Sequence, residues 1–90
     1  MEHRVMKRTT RYKSEKWLNN PDSPSTGSIV CYDGDIEYDS GESACRFVEI
    51  SDCDTKVRLH QCHTDTSIDF LHKIELLISE LDGFRKHLSK

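Results

Sequence analysis

Ninety residues, 34% hydrophobic and 32% charged, are enough for one modest core and too few for two domains. So low an apolar fraction leaves part of the chain outside a packed core, and no run approaches the roughly 18 apolar residues of a membrane span. The net charge of −3 conceals an asymmetry. In the first nineteen positions Arg4, Lys7, Arg8, Arg11, Lys13 and Lys16 stand against Glu2 and Glu15, a balance of +4; the remainder carries seven Lys/Arg and fourteen Asp/Glu, a balance of −7. The chain reads as a basic arm on an acidic body.

The charged N-terminus lacks the apolar stretch of a secretory signal, so the expected compartment is the cytoplasm. There the four cysteines (Cys31, Cys45, Cys53 and Cys62) are expected as reduced thiols rather than as a two-disulfide framework.

Residues 1–27 are expected to form a flexible basic arm and loop, and residues 28–90 the folded domain. Met1 to Lys16 shows no helical stripe, though Val5, Met6, Thr9, Thr10 and Tyr12 leave room for a short edge strand at Arg8 to Lys13. Trp17-Leu18 is the one strongly apolar pair there and is expected to anchor the arm on the body. Asn19 to Gly27 is a run of turn formers and reads as an extended loop.

Ser28 to Tyr38 carries a strong β signal with Asp33-Gly34 at its centre, the signature of a type I′ hairpin. A turn there sets Tyr32 against Asp35, Cys31 against Ile36 and Ile29 against Tyr38. Ile29, Cys31, Ile36 and Tyr38 would then share one face. After a second turn at Asp39 to Glu42, two more strands are expected at Ser43 to Ile50 and Thr55 to Cys62, joined by Ser51 to Asp54. Pairing Ile50 with Thr55 gathers Val48, Ile50, Val57 and Leu59 on an apolar face and sets Glu49 against Lys56 on the other.

Asp65 to Leu88 has the clearest periodicity. Phe70, Ile74, Leu77, Leu81, Phe84 and Leu88 recur at alternating spacings of four and three, with Leu71 and Ile78 widening the stripe into a face. Thr66 as N-cap with Asp69 three residues on forms a capping box, and Arg85, Lys86, His87 and Lys90 suit the negative end of the helix dipole. The expected fold is α+β: a four-stranded antiparallel meander with one C-terminal amphipathic helix across one face.

Three constellations bear on function. Asp33, Asp35, Glu37 and Asp39 form an acidic surface that suits a positively charged, nucleic-acid-binding protein by complementarity. Arg8, Arg11 and Trp17 on the arm form a second contact surface. They also supply the charge and stacking of a nucleic-acid ligand, but no reader motif accompanies them and the acidic body would repel phosphate. His60, Cys62 and His63, with Cys45 or Cys53 upstream, offer zinc ligands, against which stands the absence of any Cys-x2-Cys or His-x3-His pair. A Cys–His nucleophile lacks an orienting third group and an oxyanion hole, so no catalytic role is expected. Surplus apolar residues on the back of the helix, Ile68 and Leu76, leave a homodimer contact open.

The residues therefore point to a non-enzymatic protein-binding module without a cofactor, an inhibitor or adaptor. In size and charge only, such a chain resembles small accessory proteins of phages and mobile elements. The competing readings are a small zinc-binding domain and a nucleic-acid-binding accessory.

Overall fold

The computed structural model describes residues 4–24, 26–62 and 65–90. Four strands, β1 (Val5–Trp17), β2 (Ser28–Tyr38), β3 (Gly41–Asp52) and β4 (Thr55–His60), form one antiparallel sheet in the order β1-β2-β3-β4, and one helix, α1 (Ser67–Leu88), follows. The α+β meander with a C-terminal helix is thus present, but its first strand lies where the sequence suggested an arm.

That displacement has one origin. Asp33-Gly34 is not a turn: β2 runs straight through it and pairs along its whole length with β1 on one side and β3 on the other. Gly34 sits there for close approach rather than for turning. A Cβ on it would stand 2.3 Å from the carbonyl oxygen of Thr9 and 2.7 Å from the Tyr32 hydroxyl. A continuous β2 alternates its side chains, so Ile29 and Cys31 lie on one face and Ile36 and Tyr38 on the other, not together as a hairpin would place them. With β2 intact, a fourth strand must come from elsewhere, and residues 5–17 supply it.

The real hairpins are tighter than expected. Tyr38 faces Gly41 across Asp39-Ser40, and Asp52 faces Thr55 across Cys53-Asp54, with Cys53 in the left-handed region at φ 53°. The β3–β4 register therefore slips by two residues from the expected one: Ile50 meets Val57, and Val48 meets Leu59. A slip of two leaves every side chain on its face, so Val48, Ile50, Val57 and Leu59 do share one side. Glu49 faces Arg58 rather than Lys56, and holds both, at 2.7 Å and 3.5 Å.

The opposite face is covered by its own long side chains. Tyr32 stacks on Phe47 with ring centroids 5.3 Å apart, the Arg58 guanidinium lies 4.0 Å above Phe47, and Arg8 lies 5.8 Å from the Tyr32 ring centre. Tyr32, Ile36 and Val48 are the buried apolar residues of the sheet.

The described residues through His60 form one compact unit, and Gln61–Lys90 a second. In the second unit Thr66 Oγ1 accepts from the Asp69 amide at 3.1 Å while an Asp69 carboxylate oxygen accepts from the Thr66 amide at 2.9 Å, the capping box that the sequence led one to expect. No residue of α1 is buried. Of its stripe, Phe70, Ile74 and Leu77 are half-buried, whereas Leu81, Phe84 and Leu88 are exposed, where a buried stripe was expected. Among the described residues no helix is long and apolar enough to cross a membrane.

Candidate functional site

Two features of β1 organise the surface of the sheet unit. The first is a bulge. Thr10 faces Gly34 and Tyr12 faces Asp33, so Arg11 is the extra residue between them. The bulge re-aims Arg11 onto the acidic row of β2. Its guanidinium donates to Asp33 (Nη2 to Oδ1, 3.1 Å) and to Asp35 (Nη2 to Oδ1, 3.1 Å), with a second ion-pair contact from Nη1 to Asp35 Oδ2. Arg46, on β3 opposite Asp33, donates from Nε at 2.8 Å. The hydrogen bonds from Arg11, joined at Asp33 by the charge of Arg46, hold both carboxyls below the usual Asp range. Reciprocally, the two carboxylates raise the Arg11 pKa.

The acidic surface expected from Asp33, Asp35, Glu37 and Asp39 is therefore largely spoken for. Its first two members are both held by Arg11, a residue of the supposed arm, with Arg46 supplying the second positive charge at Asp33, and Asp39 Oδ1 accepts from the Arg4 amide at 3.3 Å. Glu37 stays exposed; it lies between Lys7 on β1 and Glu42 on β3. The sequence alone could not pair the two halves, because the charge asymmetry that separates arm from body in composition is what joins them in space. Arg8, the other basic residue singled out, lies over Tyr32, whose hydroxyl is 2.9 Å from Thr10 Oγ1. The hydrogen bond to Thr10, with that to Arg8, lowers the Tyr32 pKa.

The second feature is the end of β1. Trp17 is 72% exposed and Leu18 57% exposed, so the pair does not anchor β1 to the body. Strand pairing from Val5 to Trp17 holds β1 instead and leaves the indole outward. Beyond it the chain turns back on itself. The Ser23 amide donates to the Asn20 carbonyl at 3.0 Å with Pro21 at the second turn position, and the Leu18 amide donates to the Gly27 carbonyl at 2.9 Å. This closed loop leaves a concavity of about 360 Å³ lined by Trp17, Asn19, Asn20, Pro21, Ser23, Pro24 and Thr26. Asn19 is half-buried against Gly27, where a Cβ would meet its Oδ1 at 3.1 Å, and its Nδ2 finds no hydrogen-bond partner among the described residues. Sequence reading took Asn19 only as a turn former; no local pattern marks its amide as unpaired.

Within the sheet unit the expected zinc ligands do not pair. His60 faces Phe47, and Cys45 faces Gly34 two residues further along β3, so the expected Cys45–His60 pair is out of register. Cys53 stands in the β3–β4 turn, and Cys62 is exposed in the second unit. Among the described residues no three His, Cys, Asp or Glu side chains are grouped to hold a metal ion, and His63 lies outside them. All four cysteines stand as free thiols, with Cys31 and Cys45 half-buried on opposite faces of the sheet. Comparison with protein-family models, with curated proteins and with solved structures finds no match to this chain.

Proposed function

We propose that this chain is a small non-enzymatic protein-binding module, an inhibitor or adaptor, and that its contact surface is the end of β1 and the loop after it. The observation that carries this reading is Trp17, an outward indole 72% exposed beside a concavity of about 360 Å³. Trp is the residue type that most often dominates binding energy at protein interfaces, and it does so by filling a partner's pocket or walling one. The partner that fits offers a small apolar side chain to the concavity, against the indole and the Pro21 and Pro24 rings. Leu18, next in the chain, is also exposed, and Glu37 and Asp39 are the members of the expected acidic surface that stay exposed.

Tagged parent protein and a Trp17→Ala variant, each captured from an extract of the natural host, test the reading. Trp17 contributes little buried area, so the variant is expected to melt with the parent. A hot-spot role predicts a loss of at least about 2 kcal/mol, roughly thirtyfold in affinity, for the principal partner. Equal recovery of the same partners by a folded Trp17→Ala protein would refute the surface.

A further inference from the structure

The apolar stripe of α1 has a spacing more exact than a helix packed in a globular core needs. With Ile74, Leu81 and Leu88 at heptad position a, Phe70, Leu77 and Phe84 fall at d, unbroken over nearly three heptads. A 3.5-residue repeat of this kind matches the seam of a two-stranded coiled coil. The seam is open. Leu81 is 55% exposed, Phe84 58% and Leu88 67%, and the flanking Leu71 and Ile78 are exposed as well. With the partly exposed Phe70, Ile74 and Leu77 they make one continuous apolar face along the helix.

We propose that α1 pairs with α1 of a second copy of this chain, parallel and in register. The charges beside the seam decide the orientation. Glu80 occupies position g and Arg85 the following e, so a parallel pair sets Glu80 of each chain against Arg85 of the other, twice by symmetry. Lys73, the preceding g residue, then lays its aliphatic stem over Ile78 of the second copy. An antiparallel pair would instead put Glu80 against Glu80, a like-charge contact, and give Lys73 no carboxylate partner across the seam. Asp82, which holds Arg85 at 2.8 Å and Lys86 at 2.9 Å within one helix, keeps Lys86 when Arg85 turns across. This surface belongs to the second unit and Trp17 to the first, and the two tests use different variants, so each proposal can fail without the other.

Sedimentation equilibrium of the full chain tests the pairing. The parent is expected at twice its 10.5 kDa mass at concentrations up to about 100 μM. Leu81→Asp, at the seam, is expected to return it to a monomer. Leu76→Asp, off the seam and 72% exposed, carries the same helix-propensity cost and is expected to stay dimeric. Glu80→Gln removes both cross-chain ion pairs and is expected to weaken the parallel dimer about fivefold, whereas it would tighten an antiparallel one. A monomeric parent, a dimer that survives Leu81→Asp, a dimer lost equally in Leu76→Asp, or tightening by Glu80→Gln overturns the proposal.

Discussion

Gly34 distinguishes a continuous β2 from a hairpin at Asp33-Gly34, and substitution there gives opposite results in the two cases. In a type I′ turn both central residues take left-handed angles, which Asn tolerates nearly as well as Gly, so Gly34→Asn would cost a few tenths of a kcal/mol. In the continuous strand any Cβ meets the Thr9 carbonyl oxygen at 2.3 Å and the Tyr32 hydroxyl at 2.7 Å. The first contact is backbone and cannot swing aside; the second dislodges a hydroxyl that is 2.9 Å from Thr10 Oγ1. Overpacking of this kind costs about 1–3 kcal/mol, and a lost hydrogen bond adds about 1 kcal/mol, so a total near 3 kcal/mol is expected. In a chain of this size that corresponds to a fall in Tm of about 12–24 °C. Thermal melts followed by circular dichroism on the parent, Gly34→Ala and Gly34→Asn measure it. Both variants are expected to fall together, and a Gly34→Asn protein melting within two or three degrees (roughly 0.5 kcal/mol) of the parent would refute the continuous strand.

Arg11→Gln is expected to flatten the acid side of the stability profile. Asp33 and Asp35 have folded pKa values below their ordinary 3.8, so their stabilisation is complete above about pH 4 and lost as pH falls through the lower folded values. Urea midpoints at about pH 5 and pH 2.5 should therefore differ less in the variant, and an unchanged difference would mean that the clamp does not set these pKa values. Cys53→Asn relieves a left-handed Cys at φ 53° and is expected to raise stability by up to about 1 kcal/mol, read as a higher urea midpoint. Thr66→Ala removes the N-cap oxygen and is expected to cost about 1 kcal/mol. Gly83→Ala, at a helical site with open space around the added Cβ, is expected to gain about 1 kcal/mol, and both changes should appear in the helical circular dichroism signal.

The features legible in the residue order are local. The helix, its cap at Thr66 and Asp69, its basic last turn and its apolar stripe all follow from contacts within four residues, which the linear order contains. The turns at Asp39 and Cys53 and the shared face of Val48, Ile50, Val57 and Leu59 were legible for a similar reason: β alternation survives a register slip of two. The features absent from the residue order are long-range. Asp33-Gly34 has the local chemistry of a turn, but both residues are claimed by distant ones, Asp33 by Arg11 and Arg46 and Gly34 by the Thr9 carbonyl and the Tyr32 ring. Those claims keep β2 straight and draw residues 5–17 into the sheet. The candidate site shares that origin. Trp17 points outward because backbone pairing, rather than its indole, holds β1, and the loop closed from Leu18 to Gly27 buries the Asn19 amide nitrogen with no partner among the described residues. Charge composition could count the basic residues of β1 and the acidic residues of β2; a bulge at Arg11, invisible in the residue order, was needed to bring them together.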